Sequence, residues 1–319
     1  MLTFAKNLAR RLRPSRPDFA PLANGKTFNA ANKSVGLLTM VKDEDCFLIH
    51  WLTHYARHLD DPRFYIIDDA SQAVDTAAIL RQTGLDPLCS LLRLPAGPFS
   101  DRYKASLLSS IAAGLLERHA TVIASDVDEI VTPIGEARSV PLDDLLAAAP
   151  SPFVSPIGVL PVHEWSTEKP FDPTEPLAGQ RSWGFLHGGS TKPIIWKGMA
   201  GEFTPGLHTL KGRDVPVVPH LATMHLRFVD RDTALLRQER RNHVVYASTQ
   251  TPEQGAHWRT SPDKFALNSL LNPKGRVEGA PDITAEAPRF MQDHMKKVGD
   301  HFILKERKFS RAVTLAGSI

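Results

Sequence analysis

Residues 121–129 read TVIASDVDE. Thr121, Val122, Ile123 and Ala124 form a short apolar, largely β-branched run of the kind that fits a buried parallel strand, and it ends abruptly in Asp126, Val127, Asp128 and Glu129. Asp126 and Asp128 stand two apart, so in an extended chain their side chains leave on the same side and one hard cation can be shared between them. On spacing alone the signal is weak, because Asp-x-Asp is common in solvated turns and at helix starts. The surrounding pattern decides whether it means more.

Upstream, residues 34–41 (SVGLLTMV) predict a strand, followed by Lys42, Asp43, Glu44 and Asp45, acids that suit the positive end of a helix dipole. Phe47, Leu48, Trp51, Leu52 and Tyr55 then recur at helical spacing, and Asp61-Pro62 breaks the chain. A second strand over 64–67 ends in Asp68 and Asp69, a helix over about 74–82 closes at Gly84, and 88–94 predicts a third strand. Residues 102–119, with Tyr103, Leu107, Ile111 and Leu115 four apart, predict the helix that leads into 121–129. This alternation predicts an α/β fold, a Rossmann-like, mostly parallel sheet with helices on both faces. Ligands of such sheets bind beyond the carboxyl ends of the strands. Three of those ends carry acids (Asp43 and Glu44, Asp68 and Asp69, Asp126 and Asp128), so they are expected in one crevice.

The chain has 319 residues, 42% of them hydrophobic, enough for a sizeable core. A formal charge of +3 is too small to imply nucleic-acid binding, and no nucleic-acid partner is expected. Two cysteines, Cys46 and Cys89, give neither a disulfide framework nor a CxxC metal knuckle. With no bilayer-length apolar run, the expected location is the cytoplasm. Residues 1–33 read as a basic tail or amphipathic segment. Within it, 1–16 place Leu2, Phe4, Ala5, Leu8 and Leu12 near one helical face among basic residues, which fits either peripheral contact with the cytoplasmic face of an inner membrane or a frayed tail. Residues 34–240 read as the main domain and 241–319 as a helical extension, with short helices over 264–271 and 289–297.

Three motifs, in order, carry a resemblance. TMVKDEDCFLIHWLTHY resembles the "VKNE…EW…HH" opening of bacterial family-2-like nucleotide-sugar glycosyltransferases, FYIIDDAS resembles their "iyDdgS" strand end, and ASDVDEIVTP their "lDxDEFl" strand. STKPII, GLHTL and MHLRFVDRDTALLRQER resemble later segments of that group and of its family-92-like relatives. Asp43 stands where Asn is usual, Ala70 replaces a turn glycine and Ile130 an aromatic. The resemblance implies a GT-A fold, a nucleoside-diphosphate-sugar donor, a glycan or lipid-linked acceptor, an inverting transfer, and Mn²⁺ or Mg²⁺. It places Asp68 or Asp69 at the base or ribose, Glu44 and the backbone near Thr39 and Val41 beside them, Asp126 at the ribose and metal, and Asp128 on the metal. One such metal would offset the charge on a leaving diphosphate.

Residues 142–149 predict a short helix and 153–160 a strand. Residues 161–212, dense in Pro, Gly, His and Trp, read as loops where acceptor specificity resides. A base for the acceptor hydroxyl is available in Glu164, Asp172, Glu175 or Glu202, with Glu164 and Glu202 the leading pair. His225, ahead of a helix over 232–240, and His208 compete as a third metal ligand. Lys192 and Arg102 are candidate phosphate contacts. A glycan-binding module without turnover and a nucleotidyltransferase are the competing readings, although VKDED lacks the glycine-rich phosphate loop of the latter.

Overall fold

The computed structural model describes residues 34–247, 279–307, 310–315, 317 and 319. The basic segment 1–33, with its expected membrane contact, and the helix expected over 264–271 lie outside the described residues.

The first half follows the expected alternation: β1 (Val35–Val41), α1 (Cys46–His58), β2 (Pro62–Asp68), α2 (Thr76–Thr83), β3 (Cys89–Arg93), α3 (Asp101–Leu115) and β4 (Thr121–Ala124). Pro62 opens β2 rather than ending the preceding segment, a position where the missing N–H costs the ladder nothing. The strands lie side by side as β3-β2-β1-β4, every pairing parallel, with Val41 opposite Asp68 and Leu38 opposite Ala124. Alternate residues of β1 feed two cores. Leu37 packs with Trp51, Leu52 and Tyr55 of α1 on one face, and Leu38 with Leu108 and Ala112 of α3 on the other. Burial on both faces accounts for the nearly continuous apolar run in β1 and β4, and the expected α/β sheet with helices on both faces is present.

Beyond β4 the chain adds β5 (Glu129–Pro133), α4 (Leu142–Ala147), β6 (Phe153–Val162), β7 (Trp183–His187), β8 (Ile195–Trp196), β9 (Pro216–His225) and α5 (Arg231–Asn242). Here β8 pairs antiparallel with both β4 and β6, β9 runs parallel to β6, and β5 pairs antiparallel with β9. The segment 161–212, expected as loops, thus contains two strands. β7 holds buried Trp183 and Leu186, and β8 holds buried Ile195 and Trp196, so burial of apolar residues overrides the local density of Gly and Pro.

The expected helical extension after residue 240 is corrected. Its described part has one helix, α6 (Ile283–His294), and three strands, β10 (Met295–Val298), β11 (His301–Leu304) and β12 (Ser310–Thr314). β11 pairs with β9 and β12 with β7, while Ile283, Phe290 and Val313 join the core that holds Leu37. The helix begins six residues earlier than expected because Asp282 caps it, accepting from Thr284 N–H at 2.8 Å. It ends before Lys296 and Lys297, which belong to β10.

Candidate functional site

Because β2, β1 and β4 are parallel neighbours, their carboxyl ends open on one side of the sheet. Asp68 ends β2 and Asp69 follows it, Asp43 and Glu44 follow β1, and Asp126 and Asp128 follow β4, so the three acidic ends share a lip only two strand spacings wide, roughly 10 Å. Asp68 Oδ1 accepts from Ser71 N–H at 2.8 Å, and Asp69 pairs with Lys42 at 3.5 Å. Thr39, fully buried on β1, has a hydroxyl without a hydrogen-bond partner among the described residues. A cavity of about 210 Å³ opens here, lined by Met40, Asp69, Pro95, Phe99, Tyr103 and Lys104 among others.

Two left-handed residues shape this lip. Asp43 (φ 51°) turns its carboxylate onto three backbone N–H groups, those of Gln72 (2.7 Å), Ala73 (2.6 Å) and Val74 (3.2 Å), and thereby pins the loop after β2 to the turn after β1. Ala70 (φ 53°) adopts the conformation for which the resembled motif has glycine.

Residues 126–129 form a tight turn, with Glu129 N–H donating to Asp126 C=O at 2.9 Å, and not the extended chain assumed from the sequence. The reason lies in the next strand. β5 must begin at Glu129, opposite His225 of β9, and α1 holds its outer edge: Val131 N–H donates to Tyr55 Oη at 2.9 Å, and Val131 C=O lies 2.8 Å from His54 Nε2. The turn sends the two aspartates to different partners. Asp126 receives the Lys104 ammonium on Oδ1 and the Lys192 ammonium, at 2.9 Å, on Oδ2. Asp128 Oδ2 receives Arg237 Nη1 at 2.7 Å and lies 3.5 Å from His225 Nε2. Lys192 also contacts buried Glu129 at 2.7 Å, and Arg237 Nε reaches Glu44 at 2.8 Å while its guanidinium lies 4.5 Å over the Phe47 ring.

Burial alone would push the Asp126 carboxyl up, but the Lys104 and Lys192 charges hold it well below the carboxylate range. Asp128 is likewise held low, against burial, by Arg237 and His225. Glu44 and Glu129 lean the other way, because burial outweighs their cationic neighbours. Two further arginines crowd the group. Burial and then Arg237 and Arg227 lower Arg241 to about 10, and burial lowers Arg227, while the Asp128 charge favours both cations. Lys104, Lys192 and Arg237 thus contact the carboxylates of Glu44, Asp126, Asp128 and Glu129, with Arg227 and Arg241 near enough to feel the Asp128 charge and Asp45 near enough to act on Glu44.

Of the expected site residues, the structure brings Glu44, Asp126, Asp128, Lys192 and His225 into this one contact group, with Thr39, Val41, Asp68 and Asp69 along the same lip. His208 does not touch Asp128; its Nδ1 lies 3.0 Å from the Gly189 carbonyl. Arg102 is exposed on the first turn of α3, and Lys104, two residues on and so on another face of the helix, is the one that reaches Asp126. Glu164 accepts from Ser166 Oγ at 2.8 Å in the turn after β6. Glu202 is 61% exposed and pairs with Lys211 at 3.3 Å. Asp172 binds the Thr174 hydroxyl at 2.7 Å, and Glu175 is an exposed loop residue. Sequence reasoning did not single out Lys104, Arg237 or Glu129. The helical register of ALLRQERR, which turns Arg237 inward, was the available signal for one of them.

The implied divalent cation can be tested against this donor set. No group of three or more His, Cys, Asp or Glu side chains among the described residues is arranged to hold a metal. Both oxygens of Asp126 and one of Asp128 are already engaged by side-chain cations, and Lys192, with 4% of its side chain exposed, is walled in. A divalent ion among them would face unscreened like charges at contact distance. As arranged, the residues do not fit it.

No family model matches the chain, and no curated relative matches it. Among solved structures the chain is similar to S. aureus TarS residues 1–349 (TM-score 0.33, 8% identity, 81% of this chain and 78% of that one), also solved in complex with UDP (TM-score 0.33, 9% identity, with the same shares covered). It is also similar to the bifunctional glycosyltransferase WbbM (TM-score 0.27, 16% identity, 44% of this chain and 25% of that one) and to a mycobacterial protein (TM-score 0.30, 18% identity, 43% and 44%). Likenesses at that level do not assign an activity, which has to come from the site itself. No helix among the described residues is long and apolar enough to cross a membrane.

Proposed function

We propose that the chain is a GT-A-type glycosyltransferase that moves a sugar from a nucleoside-diphosphate sugar to a hydroxyl of a glycan or lipid-linked saccharide, with inversion. The observation that carries the reading is the convergence, at the carboxyl ends of β2, β1 and β4, of a cavity, a row of acids able to accept from base and ribose groups, and a cluster of buried cations. The position agrees with the rule that open parallel sheets bind ligands at that edge, and the motif resemblance supports the same assignment.

In this reading the cavity beside Asp69 takes the nucleobase, with Asp68 or Asp69 on base or ribose. Lys104, which lines that cavity and also touches Asp126, leads from it to the phosphates. The acceptor oxygen attacks the anomeric carbon as the bond from that carbon to the diphosphate oxygen breaks. The bonding pair leaves on the diphosphate, and the hydroxyl proton passes to an acceptor-side carboxylate, Glu164 or Glu202 being the candidates. Electrostatic stabilisation of the leaving diphosphate by fixed cations is the main catalytic contribution.

The test is incubation of the purified protein with a panel of nucleotide sugars, monitoring nucleoside diphosphate release. Release from one or a few donors, lost in Asp69→Asn or Asp126→Asn, is the expected result. A protein that releases no diphosphate from any donor, yet binds oligosaccharides, is a glycan-binding module and not a transferase.

A further inference from the structure

We propose that the donor diphosphate is received by the side-chain cation Lys104, with Lys192 and Arg237 fixed behind it as counter-charge to the acids, and that donor binding needs no divalent metal. The inference rests on the donor-site reading and departs from the cofactor that the motif resemblance implies.

Three observations carry it. First, Asp126 is bracketed by two ammonium groups and Asp128 is met by a guanidinium, so three of the four oxygens that would bind a metal already face positive charge. Second, two of these cations are held where they are. Lys192 is clasped between Asp126 and Glu129 at 2.9 and 2.7 Å, and Arg237 is tied to Glu44, to Asp128 and to the face of Phe47. Each would have to give up contacts to two carboxylates to make room for an incoming ion. Third, beyond the three cations in contact, Arg227 and Arg241 lie near enough for the Asp128 charge to act on them, so positive groups approach the aspartates from several sides. Lys104 is the mobile member of the set. Its side chain is 20% exposed and faces the cavity, so it can turn from Asp126 to a phosphate oxygen while Lys192 keeps Asp126 neutralised.

The experiment is calorimetric titration of the purified protein with UDP, GDP, CDP, ADP and dTDP, in EDTA and again with excess MnCl₂. At least one diphosphate is expected to bind in EDTA with a Kd within about threefold of its value in Mn²⁺. Lys104→Met should weaken it about tenfold in both buffers, and Lys104→Arg should restore most of the loss. Because Lys104 is partly exposed, far-UV circular dichroism and thermal unfolding of both variants should match the parent. Binding that appears only with Mn²⁺ overturns the inference and leaves the donor-site reading intact. Unchanged affinity in a folded Lys104→Met protein overturns the role of Lys104. Failure of all five diphosphates in both buffers overturns the donor-site reading, and the inference with it.

Discussion

The two halves of the sheet contribute opposite charges to the same crevice. The half built from β1 to β4 supplies the acids, each at the end of a parallel strand: Glu44, Asp68, Asp69, Asp126 and Asp128. The half beyond β5 supplies most of the bases, and they come from a connection, a strand paired on both sides and a helix rather than from the parallel set β1 to β4. Lys192 sits in the connection between β7 and β8, His225 closes β9, which is parallel to β6 and antiparallel to β5, and Arg237 lies on α5. One half presents a rim and the other closes over it with counter-charge. The site is therefore complete only when both halves are folded, and substitutions in the second half should disturb the first.

The largest expected effect comes from removing the cation at the seam. Lys192→Met leaves Asp126 and Glu129 buried without their shared partner, and should cost about 3–5 kcal/mol of stability, read as a lowered midpoint in urea denaturation. An unchanged midpoint would mean that the halves are not coupled through this contact.

Acid separates the halves more gradually. Burial holds His50, on α1, to about 4, against an ordinary value near 6.5, so its contribution is fully present above about pH 6.5 and is lost as pH falls toward 4. The carboxyls of Asp126 and Asp128 are depressed by Lys104, Lys192, Arg237 and His225. Their contribution is present above about pH 4 and is lost as pH falls further, through their native values. Thermal unfolding measured from pH 7 to pH 3 should thus decline in two stages. In His50→Gln the first stage should shrink while the second persists.

The smallest effect tests the rim alone. Ala70 holds a left-handed conformation that costs an L-residue more than glycine, so Ala70→Gly should stabilise by about 0.5–1 kcal/mol without altering nucleotide affinity. A destabilised variant would show that the methyl group contributes packing that outweighs the strain.

This division of charge also explains what was legible in the sequence. Strand ends in a parallel sheet are marked by where an apolar run stops, so Asp68, Asp126 and Asp128 could be placed together from the alternation of elements alone. Their partners come from distant segments. Arg237 reaches Glu44 across 193 positions in the chain, and Lys192 reaches Asp126 across 66. No local periodicity encodes such a meeting. β7 and β8 were hidden for a related reason: their pairing with β6 and β4 is non-local, and their flanks are rich in turn formers. The Asp-x-Asp spacing suggested a shared ion because an extended geometry was assumed, whereas the demand that β5 start at Glu129 makes a turn there.

Asp43 gives the rim one more property. A single carboxylate gathers three amides of the loop that carries Asp68 and Asp69 onward, and fastens that loop to the next turn of the sheet. A nucleotide bound as proposed would meet a wall already assembled. Little chain entropy is left to be lost on that side, and the affinity measured there reflects contact chemistry more than the ordering of a floppy segment.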